Sequence, residues 1–315
     1  MDLQPSETEE AVRAASETFL RDHFPLAEAR ARPRGAWAAM AGMGWFGIAL
    51  PEEAGGIGLG FGAEALVFAE LGRFLAPIGA IAGAVAARIA QDAGDAALAT
   101  AIAEGGLRVA LGLAGSDGTV RALDAEEADL LVLTDGAGGA IHAMPGDITT
   151  VPCLDLSVRQ AIVPAPAASP RARVTGPLPA QHQQIAAAAF ALGCAEAARD
   201  MAVDYAKIRE QFGKPIGSFQ ALKHICADMA VRCSTARAQL LYAALALEAG
   251  RNEAAFHVAA AKRLAQQAAL DNGRANIQVH GGIGMTDEAD AHLTLKRAHL
   301  LEFITPARAD MLLAS

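Results

Sequence analysis

The chain has 315 residues, of which 53% are hydrophobic, 19% charged and 5% aromatic, and its net charge is −9. That length gives a soft expectation of about two domains with a sizeable core, and the composition is globular rather than disordered. The acidic balance argues against a phosphate-backbone binder, leaving room for a local basic patch on one small anion, and so few aromatics give no evident stacking platform for single-stranded nucleic acid.

The N-terminus, MDLQPSETEE, is acidic and polar and shows no secretory signal. Ser6 followed by Glu9 spells a capping box ahead of an amphipathic run to about Asp22. After the Pro33–Gly35 punctuation, Ala36–Met43 predicts a short helix that ends at Gly44. Pro51–Gly60 is a loop by composition, and Phe61–Phe74 resumes helical spacing. The loop glycines lack the strand–turn–helix context of a dinucleotide fingerprint. The apolar run Ala76–Ala90 is broken by Pro, Gly and Arg short of a membrane span. The expectation is a cytoplasmic soluble protein with no membrane contact.

The character then changes. Arg108–Leu113, Leu130–Leu133, Ile141–Met144 and Val158–Val163 are short apolar runs punctuated by SDG, DGAGG and PGD, which predict strands and turns. Pro164–Gln181, rich in Pro and Ala, reads as a linker. Beyond it the sequence is helical, with long Ala-rich runs at Ile185–Ile208, Gln220–Gly250 and Glu253–Val279. In the second run Leu222, Cys226, Met229, Cys233, Ala236 and Leu240 recur at steps of three and four, the stripe of an antiparallel bundle. The division expected is a helical unit over 1–105, a β unit over 106–176 and a helical bundle over 177–315.

The four cysteines, Cys153, Cys194, Cys226 and Cys233, show no CxxC spacing and read as small buried thiols of a reducing compartment. His224 near Cys226 lacks a recognisable ligand set, so no metal is expected.

Between the first two long runs lies Arg209–Gln220, REQFGKPIGSFQ. Pro215 cannot sit inside a helix, and Gly213 and Gly217 loosen the backbone around it, so the chain turns here. The turn presents Arg209 from a helix end and Gln220 at the next helix start. An arginine fork in that setting suits a phosphate or carboxylate.

The order Arg209, Phe212, Gly213, Ile216, Gln220 resembles the Arg-x-x-Phe-Gly-x-x-Ile-x-x-x-Gln signature of the acyl-CoA dehydrogenase family. Two more stretches bracket it: GWFGIALPEEAGGIG at Gly44–Gly58 and QVHGGIG at Gln278–Gly284. The resemblance implies a mostly α fold with an N-terminal helical domain, a middle β-domain and a C-terminal four-helix bundle that makes dimer and tetramer contacts. It implies α,β-dehydrogenation of an acyl-CoA thioester with FAD as cofactor and an electron-transferring flavoprotein as acceptor. In the family, groups at Arg209, Phe212, Gln220, Gln278, Gly281 and Gly282 reach the ADP half of FAD bound mainly by a neighbouring subunit. Arg209 would meet the pyrophosphate, and Gln278 and Gly282 the adenosine side. Ala114–Asp117, AGSD, resembles a family loop near the flavin, but the Thr-Glu-Pro before it and the Trp-Ile-Ser/Thr-Asn stretch after it are missing, so the middle domain reads as reduced.

The family reaction needs a desolvated carboxylate to take the α-proton. Counting from Gly281, the position of the usual Glu falls on Thr305, and those of the following Thr and Gln on Ala307 and Ala309. A minority position at the start of the first bundle helix falls on Gln183, with Gln184 beside it. Neither Thr nor Gln is a base at neutral pH. Other carboxylates could substitute as the base: Glu302, three residues before Thr305, comes first, and Asp287 and Glu288 after the Gly-Gly turn come next. Positions that act on a neighbour's cofactor are kept while those acting in place are lost, as in the non-catalytic chain of a heteromeric α2β2 acyl-CoA dehydrogenase. The alternatives are a homomeric dehydrogenase with a displaced base, a fold-related flavin-dependent monooxygenase, or a non-enzymatic scaffold.

Overall fold

The computed structural model describes residues 3–31 and 35–306. Pro33, Ala307, Arg308 and Ala309 lie outside them. Helix α1 (Glu7–His23) starts at the expected capping box: Glu9 N donates to Ser6 Oγ at 3.3 Å and Ser6 N to Glu9 Oε2 at 2.7 Å. Helices α2 (Ala36–Gly42), α3 (Gly60–Arg73), α4 (Gly79–Asp92) and α5 (Ala96–Ala103) follow. Helices α3 and α4 are buried along most of their length, which their Ala- and Gly-rich sequences permit. A Cβ on Gly193 would lie 2.0 Å from Ala69 O, so α3 meets the first bundle helix in direct backbone contact.

The middle of the chain forms one seven-stranded sheet: β1 (Val109–Ala114), β2 (Thr119–Leu123), β3 (Leu130–Asp135), β4 (Gly138–Ala143), β5 (Thr149–Val151), β6 (Gln160–Pro164) and β7 (Ala172–Thr175). Its order is β5-β6-β2-β1-β3-β4-β7, with β1–β3 parallel and the other pairs antiparallel. Val109, Leu111, Leu130, Val132 and Ile141 face the main core, while Ala110, Val120, Ala122, Leu131 and Val163 form a separate cluster on the other face. That alternation is the period of two expected of strands.

Two expectations need correction. The segment Pro164–Gln181 is more than a linker: it holds edge strand β7, paired with β4 in the register Gly139↔Val174, and the first turn of α6. Strands β2, β5 and β7 are short and carry polar or small residues, so no apolar run marked them. Second, Cys194 and Cys233 are buried, burial pushing both thiols up to about 12, but Cys153 and Cys226 are half-buried; all four are free.

The C-terminal helices are α6 (Leu178–Ile208), α7 (Gln220–Glu248), α8 (Ala254–His280) and α9 (Leu293–Glu302), with a small hairpin of β8 (Glu210–Gln211) and β9 (Lys214–Pro215) between α6 and α7. Helix α6 is buried continuously from His182 to Ala198, because α3, α4, α7, α8, α9 and the sheet all lean on it. Fully buried Arg297 ties the layers together. It donates to Ala76 O at 2.7 Å, Leu75 O at 3.3 Å and Ser157 Oγ at 2.7 Å, and pairs with Asp155 in the β5–β6 loop. The result is the mostly α architecture that the resemblance implied, with N-terminal helices, a central sheet and C-terminal helices. Among the described residues no helix is long and apolar enough to cross a membrane, and no group of His, Cys, Asp or Glu could hold a metal ion.

Candidate functional site

The two sequence positions where a catalytic carboxylate is missing meet in space. Gln183, in the second turn of α6, donates through Nε2 to Thr305 Oγ1 at 2.6 Å and accepts from Thr134 Oγ1 of β3 at 3.1 Å. Gln184 Nε2 lies 3.2 Å from Thr305 O and 3.3 Å from Pro306 O. Three elements converge there: α6, the sheet and the segment after α9. Thr305 has φ 43°, a left-handed conformation that a β-branched residue adopts only when its surroundings hold it there. The two glutamines supply that grip. Among the described residues the junction offers amide and hydroxyl hydrogen bonds but no group able to take a proton from carbon at neutral pH. Glu302 does not enter it. Its side chain is 53% exposed, with His299 at 4.0 Å. Asp287 is 90% exposed and Glu288 is exposed as well.

A cleft of about 620 Å³ lies between the core-facing side of the sheet and α9. Its walls include Ala114–Asp117, the AGSD stretch, together with Arg121, His299 and Phe303. The reduced sheet therefore still leaves an open crevice against the bundle.

The arginine turn forms the second locus. Arg209 caps α6, its N–H donating to Tyr205 O at 2.9 Å, and its exposed guanidinium has no ion pair among the described residues. Arg209, Gly281 and Gly282 line one cavity of about 310 Å³ with Gln211, Tyr205 and His280. His280 stacks on Tyr205 with centroids 4.2 Å apart and donates from Nδ1 to Asn276 O at 2.9 Å. Gly281 terminates α8 at φ 68°, ψ −145°, a conformation essentially reserved for glycine, and a side chain on Gly282 would meet nothing within 4 Å. The cavity is open, cationic on one side and walled by bare backbone on the other. That chemistry fits an anionic diphosphate. Phe212, Gln220 and Gln278 lie outside its lining. Phe212 is 91% exposed with φ 54°, its ring edge-on to Phe219; Gln220 opens α7; Gln278 sits exposed in the last turn of α8 and accepts the Gly281 N–H on its carbonyl.

Three buried polar groups near these loci carried no motif. His182 Nε2 and Glu64 Oε1 are 2.6 Å apart, both side chains nearly fully buried, and His182 Nδ1 has no partner among the described residues. Lys262 is buried on α8, and desolvation pushes its amine down to about 7. The signal available was a charged residue inside an apolar helical run, as in FGAEALVF and HVAAAKRLA.

Comparison with known proteins agrees with this architecture. Residues 6–101 match the family profile described as acyl-CoA dehydrogenase, N-terminal domain, and residues 179–305 the C-terminal domain of the same family. The chain is 36% identical over 262 residues to the acyl-CoA dehydrogenase IpdE2 of Mycobacterium tuberculosis, covering 80% of this chain and 76% of that one. It is 35% identical over 282 residues to the acyl-CoA dehydrogenase FadE34 of the same organism, covering 84% of this chain but 39% of that longer protein. Among solved structures, the ChsE4–ChsE5 complex from Mycobacterium tuberculosis superposes with a TM-score of 0.84 at 24% identity, covering 100% of this chain and 97% of that one. With both terminal domains matched, and most of a relative above 30% identity spanned, the chain belongs to the acyl-CoA dehydrogenase family.

Proposed function

We propose that this chain is a flavoprotein subunit for α,β-dehydrogenation of an acyl-CoA thioester, lending FAD contacts to a catalytically complete partner chain. The observation that carries this reading is the contrast between the two loci. At the first, both positions for a base hold neutral side chains, Gln183 and Thr305, bonded to each other. At the second, Arg209, Gly281 and Gly282 line an exposed cavity that a neighbour can reach. The ChsE4–ChsE5 neighbour, which is by its name a complex of two different chains, supports a heteromeric assembly. In this reading Arg209 clamps the pyrophosphate, Gly281 and Gly282 let the backbone approach the adenosine side, and Phe212, Gln220 and Gln278 complete the contact. FAD, when bound, supplies the two-electron acceptor for CH–CH oxidation. The carboxylate that removes the α-proton comes from the partner, and an electron-transferring flavoprotein is the proposed onward acceptor. The four free cysteines support a reducing, cytoplasmic setting. We further read residues 1–105, 106–176 and 177–315 as three domains.

One observation favours a second reading. The cleft of about 620 Å³ against α9 leaves room for this chain to seat a flavin ring itself, as a homomeric dehydrogenase would. Such an enzyme needs a base, and exposed Glu302 lacks the desolvation that would make it one. The deciding experiment incubates the lone protein, supplemented with FAD, with acyl-CoA thioesters of varied chain shape in D₂O. The subunit reading expects no deuterium at the α-carbon and no flavin bleaching. Bleaching by the lone chain would replace it with the homomeric one.

A further inference from the structure

Lys262 Nζ donates to Leu301 O at 2.6 Å and to Gln266 Oε1 at 3.2 Å, and Gln266 Nε2 in turn donates to Ala298 O at 2.7 Å. Both accepting carbonyls belong to the C-terminal part of α9. The same stretch carries His299, Leu300 and Phe303 to the wall of the cleft, and just beyond it stands Thr305. The chain from Ala298 to Pro306 is thus gripped twice, by Lys262 and Gln266 at its start and by Gln183 and Gln184 at its far end.

We propose that Lys262 is a positioning residue for this site, a proton-linked latch whose uncharged amine holds the end of α9 and whose ammonium form favours its release. An amine has two N–H donors, matching its two acceptors, Leu301 O and Gln266 Oε1. An ammonium adds a third N–H, which has no acceptor among the described residues, and a buried charge. The charged groups on the packed elements offer it little. Glu302 at the end of α9 attracts it from an exposed position. Glu196 of α6 is paired with Arg237 of α7, and Arg297 of α9 with Asp155. The turn Gly281–Met285 brings no charged side chain, and Arg263 beside Lys262 on α8 is exposed.

Burial, opposed by Glu302, lowers the amine in the closed latch from 10.5 to about 7. An opened, wetted latch regains the ordinary value. Opening therefore takes up one proton between those two pH values, so the latch tightens as pH rises through that window and is insensitive below it. The contact lies between α8 and α9 and holds whichever chain supplies the base.

The test is hydrogen–deuterium exchange of the Phe303 and Ile304 amides, which bond to Leu300 O and Leu301 O, measured from about pH 5 to 9 and corrected for intrinsic rates. Protection should rise by up to about tenfold per pH unit in the native protein. It should be flat in Lys262→Met. In Glu302→Gln, an exposed change that folds regardless of the latch, the rise should begin at lower pH because an attracting carboxylate is gone. A flat native profile, or a rise that survives in Lys262→Met, overturns the proposal. If Lys262→Met does not fold, an unmoved onset in Glu302→Gln overturns it.

Discussion

Replacing Arg209 by Ala separates binding from folding. The guanidinium is exposed and unpaired among the described residues, and what Arg209 contributes to the fold runs through its backbone, donating to Tyr205 O and accepting from Ile216 N at 2.8 Å. Alanine keeps both bonds, so stability should stay within about 0.5 kcal/mol of the native protein. The loss falls on the anion. A charge-assisted hydrogen bond is worth about 1.5–3 kcal/mol, and at an exposed, screened position we take a two-pronged fork as about one such bond in total. That converts to FAD binding about 10- to 150-fold weaker in the assembled complex. Arg209→Lys should fall between, keeping the charge without the fork, and its affinity should drop more steeply with salt. The assay is FAD titration of the purified complex, with thermal unfolding in parallel. A stable Ala variant that binds FAD within about twofold of native would refute the assignment of this arginine to the cofactor.

Four further outcomes are expected. Gly193→Ala should cost at least about 1–3 kcal/mol in urea unfolding, because its Cβ would lie 2.0 Å from the Ala69 carbonyl and neither helix can yield. Arg297→Met should cost about 3–5 kcal/mol by leaving buried Asp155 uncompensated, and adding Asp155→Asn should recover part of that. Phe212→Ser should leave the melting temperature of the lone chain unchanged, since its ring is 91% exposed, yet weaken assembly with the partner in sedimentation measurements. Lys262→Met should be most advantageous to global stability below pH 7 and lose that advantage as pH rises toward 10.5, where the native lysine no longer carries a buried charge; denaturant midpoints across pH would show it.

Where local chemistry decides structure, the sequence was legible. Ser6 and Glu9 marked the start of α1, and REQFGKPIGSFQ marked the break between α6 and α7, which ends at Ile208 and resumes at Gln220 as read. Motif order revealed the family. The sheet is half legible: strands with core-facing Val, Leu or Ile stand out in the sequence, whereas β7 with Ala172-Arg-Val-Thr reads as linker, because an edge strand depends on its partner's hydrogen bonds more than on its own hydrophobicity. Counting residues located Thr305 and Gln183 separately but could not show that they touch, since 122 residues separate them along the chain. Lys262 and the His182–Glu64 pair were invisible for a related reason. A buried charge is identified by the walls around it, and those walls come from distant segments.

On the proposed reading, this chain serves a cofactor it does not hold alone. The most direct measurement is FAD content and chain stoichiometry, for the protein purified by itself and again co-expressed with a fuller dehydrogenase chain that keeps the catalytic Glu. A colourless lone protein, and a yellow complex with about one FAD per pair of unlike chains, is the predicted result. A lone protein that purifies yellow, with one FAD bound to every chain, would contradict it.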